Sequence, residues 1–256
     1  ENISATHITS INPADGSTLG SVPMSTKEDV VAKVAAARKA FPAWRDTPLT
    51  ERLKCATQLR DLFIKHKQEL AELTTKEMGM PITQSLFTVD RALAYMDWAL
   101  ENAESALAPV KTYETDTEIN HVVQIPRGVL GAISPWNFPP SNFVWATFQY
   151  VIAGNTIVFK NSEEVQLTAM KLEELINASG FPAGVFNVIF GDGDVAQAMI
   201  ADDIDMINFT GSTRVGQILA KQAGEKFIPA VLELGGSDPA VVFEDADLEK
   251  VIPALY

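Results

Sequence analysis

The sequence is poor in the residues that form disulfides and metal sites. Its 256 residues include one cysteine, Cys55, and three histidines. A single cysteine cannot form an internal disulfide, which is typical of a reducing compartment, and we expect a cytoplasmic protein. His7, His66 and His121 are too scattered to give the ligand spacing of a metal site, so we expect no metal. Cys55 has no activating neighbour in the sequence, which favours a small residue on a helix face over a nucleophile.

Positive charge and long apolar runs are also scarce. Lysine and arginine total 20 against 33 acidic residues, which gives a formal net charge of −13. This charge repels nucleic acids and anionic membranes, so neither is an expected partner. There is no run of about 18 apolar residues that could span a bilayer, and the polar first twenty residues do not resemble a secretory signal. Hydrophobic residues still make up 46% of the chain, enough for one large domain or two small ones.

Three blocks with helical periodicity come first. The block at 25–44 begins with Ser25 as its predicted N-cap, and Glu28 follows three residues later as in a capping box. The block at 48–79 is expected to form one helix that ends at Gly79. The block at 81–107 is long and amphipathic and begins with a proline in its first turn.

The rest of the chain has strand patterns. Between 112 and 124, β-branched residues alternate roughly with charges, which predicts a protruding hairpin. Five apolar segments then alternate with amphipathic helices: GVLGAIS, NTIVFK, VFNVIF, DMINFTG and FIPAVLELGG. This alternation predicts an α/β fold with a parallel, Rossmann-like sheet covered by helices on both faces. Ligands of such sheets bind beyond the carboxyl ends of the strands, so chemistry is expected there.

Two strand ends carry glycines that suit a phosphate group. In INFTGSTRVG, the strand passes through Gly211 into a helix that starts near Ser212, and the exposed N–H groups of a helix start bind anions. This segment has neither the Walker pattern nor the usual GxGxxG fingerprint. The segment FGDGD places Gly191 after another strand. Each segment alone is more typical of an ordinary tight connection.

Charged and polar side chains occur at three further strand ends. Lys160 and Glu163 could hold the two hydroxyls of a ribose, and the carboxylate would repel a 2′-phosphate, which favours NAD over NADP. A solvated charge pair is the alternative. Asn137 lies in the rigid loop SPWNFPP, where an amide is a good donor to a developing oxyanion, and a structural asparagine is the alternative. Glu233 lies between apolar residues in VLELGG, which predicts a buried strand.

Together, the motifs SPWNFP, FKNSEE, FTGST and LELGG resemble those of the NAD(P)-dependent aldehyde dehydrogenase superfamily in order and spacing. They run from Ser134 to Gly236, and the preceding helices and β-segment fit the N-terminal half of this family. Each motif is modest alone, whereas the four in sequence are specific. The chain also has an overall likeness to the succinate-semialdehyde group of the family.

The resemblance implies roles for individual residues. Asn137 matches the asparagine whose amide stabilises the tetrahedral oxyanion. Glu233 matches the general base that activates the thiol nucleophile or the water that hydrolyses the thioester. The cofactor positions are Lys160 and Glu163 at the adenosine ribose, Gly191 after the strand beside the adenine, Gly211 and Ser212 at the phosphate-binding turn, and Ile133, Trp136 and Leu234 in the cofactor cleft. Phe138 and Trp145 occupy positions that face the substrate tunnel, and 112–124 resembles an arm used in homo-oligomerisation.

Two features depart from the family pattern. Many members carry a basic residue immediately after the position of Trp145, where this chain has Ala146, so no role of that basic residue can be transferred. The family's catalytic cysteine lies in a loop well beyond the glutamate, whereas the residues after Gly236 include no cysteine. Cys55 cannot substitute, because the family places its block among the outer helices of the cofactor domain.

The resemblance therefore implies three parts: a cofactor-binding domain at 1–110 and 126–234, a β-hairpin arm at 111–125, and a truncated start of a catalytic domain at 235–256. The expected function is that of the N-terminal part of an enzyme that oxidises a small aldehyde to a carboxylic acid with NAD, through a cysteine thiohemiacetal. NADP is the less favoured cofactor. Without the cysteine, this chain is expected to be inactive alone. The alternative is a stand-alone NAD-binding or scaffold module without catalysis.

Overall fold

The computed structural model describes residues 3–4 and 6–255. Glu1, Asn2, Ala5 and Tyr256, which belong to the predicted ranges 1–110 and 235–256, lie outside the described residues. The strands are β1 (His7–Ile11), β2 (Thr18–Pro23), β3 (Val110–Glu114), β4 (Ile119–Val122), β5 (Val129–Ile133), β6 (Thr156–Lys160), β7 (Phe186–Ile189), β8 (Met206–Gly211) and β9 (Ala230–Leu234). The helices are α1 (Lys27–Asp46), α2 (Leu49–Lys65), α3 (Lys67–Met78), α4 (Ile82–Leu107), α5 (Pro139–Ile152), α6 (Gln166–Ala178), α7 (Gly193–Ala201), α8 (Thr213–Lys226) and α9 (Leu248–Leu255).

Five strands form one parallel sheet in the order β7-β6-β5-β8-β9. They are the five segments predicted from their apolar runs, so the predicted α/β fold with a parallel sheet is confirmed. The chain builds outward from β5 to β7 and then returns to place β8 on the other side of β5. The carboxyl ends of β5 and β8 therefore flank a topological switch point, where ligands of such sheets bind.

Helices cover both faces of this sheet. On one face, α5 and α6 pack against the strands and α2, α3 and α4 pack on them, around buried residues such as Phe63 and Phe143. On the other face, α1, α7 and α8 pack around Val34, Met199 and Leu219. The inner strands are apolar throughout because both of their faces are covered.

The N-terminal end of α1 differs from the prediction. The predicted N-cap, Ser25, is wrong, because Thr26 occupies this position. The Thr26 hydroxyl accepts a hydrogen bond from the Asp29 N–H, and the Asp29 carboxylate accepts one from the Thr26 N–H, which completes a capping box. The Ser25 hydroxyl accepts a hydrogen bond from the Phe190 N–H at 3.0 Å, and so it connects the start of α1 to the end of β7.

The block at 48–79 forms two helices rather than one. α2 ends at Lys65 and α3 begins at Lys67, with His66 between them at φ −104°. The predicted end at Gly79 is confirmed, since this residue has φ 77°, a left-handed conformation that glycine adopts without steric cost.

Two antiparallel hairpins lie outside the main sheet. β3 and β4 pair with Val110 opposite Val122, so the hairpin predicted within 111–125 is confirmed, and every residue of both strands is exposed. We call β3, β4 and the turn between them the arm. β1 and β2 form a second hairpin, which no sequence pattern indicated and which packs on α3 and α6.

The segment after β9 is exposed to solvent. Val241, Phe243 and Ile252 have exposed fractions of 73%, 74% and 58%, and α9 has no buried residue. None of the helices in the described residues is long and apolar enough to cross a membrane.

Candidate functional site

A cleft of about 460 Å³ opens at the carboxyl ends of β5, β6 and β8. Its walls come from the loops after β5 and β6 and from α7 and α8. Six residues predicted to bind a cofactor line it: Ile133, Trp136, Lys160, Glu163, Gly211 and Ser212. The fold therefore brings these residues together at the switch point of the sheet. We call this space the cofactor cleft.

Lys160 and Glu163 form an ion pair on the wall of the cofactor cleft. Lys160 ends β6, and Glu163 begins a short 3-10 helix at Glu163–Val165. The Lys160 Nζ and Glu163 Oε2 atoms are 3.0 Å apart. Lys160 is only 3% exposed, so the pair is not a fully solvated one. The pair presents donors and an acceptor side by side, as two vicinal hydroxyls require.

The start of α8 faces the same cleft. Ser212 is the N-cap of α8, and its hydroxyl accepts a hydrogen bond from the Val215 N–H at 3.3 Å. The helix dipole and the remaining N–H groups of this first turn favour an anion. Only glycine fits at position 211 without a shift of its neighbours, because a Cβ atom there would lie 2.4 Å from the ring of Phe209.

Two predicted cofactor residues lie beside the cleft and not on its lining. Gly191 has φ 156°, and a Cβ atom there would lie 2.2 Å from Val195. Gly191 therefore lets α7 begin close to the end of β7, and Asp194 of α7 lines the cleft. Leu234 packs against α8 at Gly216, where a Cβ atom would lie 2.4 Å from the Leu234 side chain.

Asn137 lies in the loop between β5 and α5, and it is exposed. Its amide oxygen accepts a hydrogen bond from Asn142 Nδ2 at 3.0 Å. Asn142 is 5% exposed, and its Nδ2 also donates to the Pro135 carbonyl at 3.5 Å. Because the amide oxygen of Asn137 is engaged in this way, its NH₂ group is directed away from Asn142 and is available as a donor. No motif marks Asn142, whose only signal is its position five residues after Asn137.

A second cavity, of about 380 Å³, lies on the opposite face of the sheet, between α5 and the edge formed by β8 and β9. We call it the α5 cavity. Glu233 and Trp145 both line it, so the fold brings the predicted base together with one predicted substrate-facing aromatic residue. Phe138, the other aromatic residue, is the N-cap of α5 and lies outside this lining. Ala146 is buried in the wall of the cavity.

Glu233 is exposed, so the predicted burial of its strand is wrong. Among the described residues, β9 is an edge strand whose one partner is β8, with Glu233 opposite Thr210. α8 packs on one face of β9, toward Leu234, while Glu233 points to the other face and the α5 cavity. The apolar sequence predicts two covered faces, whereas the edge position leaves the carboxylate open to solvent.

The α5 cavity contains polar residues that no motif indicated, among them Tyr95, Gln149, Tyr150 and Asn208. The Tyr95 hydroxyl donates to Gln149 Oε1, and Asn208 Nδ2 donates to the Tyr150 hydroxyl at 3.0 Å. Burial raises the pKa of Tyr95, and the nearby Tyr150 raises it further, which keeps Tyr95 neutral. A signal for Asn208 was its interruption of the apolar strand DMINFTG. Polar groups that are able to bind water therefore lie in the same cavity as Glu233.

Cys55 is half-buried on α2, and its Sγ donates to the Gly180 carbonyl at 3.3 Å. Burial raises the pKa of the Cys55 thiol, and repulsion by Glu51 adds to this increase. A neutral thiol is a poor nucleophile, which agrees with the structural role predicted for Cys55. In residues 3–4 and 6–255, no group of three or more histidine, cysteine or acidic side chains is placed to hold a metal ion.

The cofactor cleft has the groups that a dinucleotide requires. The start of α8 suits a pyrophosphate, and the pair of Lys160 and Glu163 suits a ribose. Ile133 and Phe209, which are 8% and 5% exposed, provide apolar walls for flat rings. The residues present therefore fit a nicotinamide dinucleotide.

This combination of sheet, cleft and loop is that of an oxidoreductase family. The chain matches the Aldehyde dehydrogenase family over residues 1–256 and belongs to it. The resemblance found in the four motifs is thereby confirmed.

Individual relatives agree with this assignment. The chain is 34% identical over 244 residues to succinate-semialdehyde dehydrogenase (NADP⁺) of Escherichia coli (strain K12), covering 94% of this chain and 50% of that protein. It is 35% identical over 256 residues to 2-aminomuconic semialdehyde dehydrogenase of Mus musculus, covering 97% and 52%. The crystal structure of an NAD-dependent aldehyde dehydrogenase from Sinorhizobium meliloti superposes with a TM-score of 0.89 at 36% identity, covering 99% and 51%. The chain spans about half the length of the curated relatives it matches.

Proposed function

We propose that this chain is the N-terminal part of an enzyme that oxidises a small aldehyde to a carboxylic acid with NAD. The observation that carries the proposal is the amide of Asn137, whose oxygen is held by Asn142 so that its NH₂ group is free to donate beside the cofactor cleft. In the overall reaction, aldehyde, water and NAD⁺ give the acid, NADH and a proton.

Each proposed catalytic residue has one task in this reaction. A cysteine thiolate attacks the aldehyde carbon, and the Asn137 NH₂ group stabilises the oxyanion of the resulting thiohemiacetal. A nicotinamide dinucleotide held in the cofactor cleft would supply the acceptor for the hydride of this carbon. Glu233 removes a proton from the water that hydrolyses the thioester, which releases the acid and regenerates the thiolate. Phe138 and Trp145 shape the path of the aldehyde.

The remaining site residues have cofactor roles in this proposal. Lys160 and Glu163 hold the adenosine ribose, and Gly211 and Ser212 lie at the pyrophosphate. Ile133, Trp136 and Leu234 shape the cleft, and Gly191 fixes the start of α7. We favour NAD over NADP because the Glu163 carboxylate would repel a 2′-phosphate. The relatives use both cofactors, since the E. coli enzyme is named for NADP and the S. meliloti enzyme is NAD-dependent.

The nucleophile has to come from outside this chain. Cys55 is the only cysteine, and its neutral, half-buried thiol is unsuited to attack. The proposed division is a cofactor domain at 1–110 and 126–234, the arm within 111–125, and the start of a catalytic domain at 235–256. The exposed apolar side chains of 241–252 support this division, because a following domain would cover them. A stand-alone NAD-binding or scaffold module is the second candidate.

The proposal extends to the setting of the protein. We expect a cytoplasmic homo-oligomer that assembles through the arm, with a small aldehyde as substrate and neither nucleic acid nor membrane as partner. The net charge of −13 supports the last two expectations.

The activity is tested by NADH formation with a panel of aldehydes. This chain alone is expected to give negligible turnover, while a longer parent protein that supplies a cysteine loop turns over. In the parent, Glu233→Gln is expected to slow release of the acid, and single-turnover NADH formation should then exceed steady-state turnover. Ordinary turnover by the isolated chain, or an inactive parent, would contradict the proposal.

The cofactor assignment is tested by calorimetric titration of this chain with NAD and NADP. We expect NAD to bind at millimolar concentration or below and NADP to bind more weakly. Glu163→Gln should reduce the difference in affinity between NAD and NADP. Glu164→Gln, the same change one residue later, should leave that difference unchanged. A preference of the unsubstituted chain for NADP would refute the role of Glu163.

A further inference from the structure

Arg91 lies on α4 beside the α5 cavity and faces Trp145. Its guanidinium carbon is 5.5 Å from the centroid of the Trp145 ring. Trp145 lines the α5 cavity together with Glu233, the proposed base. Arg91 is outside this lining, and it adjoins the cavity through Trp145, which we propose to shape the path of the aldehyde.

The position of Arg91 is fixed by contacts between α4 and α5 on either side of it. One turn before Arg91, the Thr88 carbonyl accepts a hydrogen bond from the Ser141 hydroxyl at 2.7 Å. One turn after it, the Tyr95 hydroxyl donates to Gln149. Residues 88, 91 and 95 of α4 thus face residues 141, 145 and 149 of α5, as helical spacing requires. The packing of α4 on α5 therefore fixes the backbone of Arg91 opposite Trp145.

Arg91 is an uncompensated cation within an acidic chain. Its acidic neighbours on α4 are already engaged, since Asp90 pairs with Lys67 at 2.6 Å and Asp97 pairs with Arg60 at 2.7 Å. In the part of the chain that the structure describes, Arg91 itself has no ion pair and no hydrogen bond, only the face of Trp145. Arg91 is exposed, and a cation that only an aromatic face holds is weakly bound and keeps its five N–H donors free.

We propose that Arg91 binds the distal carboxylate of the substrate, so that the preferred substrates are aldehydes that carry a carboxylate at the far end of the chain. This inference rests on the proposed function. The guanidinium offers two parallel donors that match a carboxylate, and the Trp145 ring packs on the aliphatic part between the two ends of the substrate. A dianionic phosphate matches less well, because one cation would face two negative charges near the Glu233 carboxylate.

The test compares two aldehydes of the same length in the longer parent enzyme: 4-oxobutanoate and butanal, in which a methyl group replaces the carboxylate. We expect kcat/KM to be higher for 4-oxobutanoate by roughly 10- to 100-fold, the range of a charged hydrogen-bonded pair. Arg91→Met should remove this preference by lowering kcat/KM for 4-oxobutanoate, while butanal stays within about twofold. Arg91→Lys should restore part of the preference.

The control is Arg127→Met, which removes an exposed arginine outside the lining of the α5 cavity. It should leave both aldehydes unchanged. Equal use of the two aldehydes by the unsubstituted enzyme, or an equal loss for both in Arg91→Met, would overturn the role of Arg91 and leave the proposed function standing. Absence of activity with both aldehydes in the unsubstituted parent would overturn the proposed function itself.

Discussion

The orientation of the Asn137 amide depends on one neighbouring side chain. Asn142 donates to the Asn137 oxygen, and so it determines that the NH₂ group faces outward. Asn142→Asp is nearly isosteric but accepts where asparagine donates, so it should turn the Asn137 amide around. In the longer parent enzyme we expect kcat to fall roughly 10- to 100-fold, with little change in KM for NAD. This decrease in kcat should not exceed the decrease caused by removing an oxyanion donor altogether.

The control for the added charge is Asn177→Asp, the same chemical change at an exposed position of α6. It should leave kcat unchanged. An unaltered kcat in Asn142→Asp would show that Asn142 does not orient Asn137. A loss of kcat together with a lowered melting temperature would instead indicate a structural role.

At the scale of single residues, the sequence predicts the residues that belong to motifs. It does not predict the residues that orient them through hydrogen bonds. Asn137 and Glu233 are marked by an unusual proline loop and by a carboxylate in an apolar strand. Asn142 is buried beside Asn137 for reasons of packing, which no local pattern encodes. The exposure of Glu233 follows from the edge position of β9, and a strand's own sequence does not state its place in the sheet.

Glu77 joins three elements that are distant in sequence. Its Oε1 accepts hydrogen bonds from the Ser10 hydroxyl of β1 at 2.9 Å and the Leu167 N–H of α6 at 2.8 Å. Its Oε2 accepts from the Thr168 N–H and hydroxyl, both at 2.7 Å. Glu77→Ala would leave the buried Thr168 N–H and the half-buried Leu167 N–H unpaired, so the free energy of unfolding should fall by about 2 to 4 kcal/mol. Glu72→Ala, an exposed position on the same helix, should change it by less than about 0.5 kcal/mol.

The contribution of Glu77 should also depend on pH. Burial raises the pKa of Glu77, and its hydrogen bonds oppose this increase only in part. The folded chain therefore retains a proton at pH values where the unfolded chain has lost it, so the stabilisation is present at low pH and is lost as pH rises through the folded pKa. Urea unfolding at several pH values measures the difference in the free energy of unfolding between the unsubstituted chain and Glu77→Gln. We expect this stability advantage of the unsubstituted chain to decrease as pH increases. An advantage that grows with pH would contradict a raised pKa.

At the scale of elements, long periodic segments are predictable and short polar ones are not. The five sheet strands follow from apolar runs between helices. β1 and β2 escaped prediction because their sequences, HITSI and TLGSVP, are short and have little alternation. Their hairpin is held by contacts with distant residues such as Glu77. The division between α2 and α3 falls at His66, where no proline or glycine signals a break.

At the scale of the whole molecule, exposed apolar side chains concentrate in two regions: the arm and the segment from β9 onward. In and next to the arm, Val110, Tyr113, Ile119, Val122 and Ile125 are between 51% and 80% exposed. An isolated two-stranded hairpin is marginally stable in water. Both observations favour an arm that is covered in an assembly, in line with its proposed role in oligomerisation.

The role of the arm is tested by sedimentation of this chain over a range of concentrations. We expect association that weakens strongly in Val122→Asp, because a carboxylate would replace an apolar contact opposite Val110. Thr117→Asp, in the turn of the same hairpin, adds the same charge away from the apolar pair and should retain the association. The comparison separates the arm from the exposed segment after β9, which both variants keep. Equal association of Val122→Asp and the unsubstituted chain would contradict the role of the arm. The interface would then lie in the exposed segment after β9.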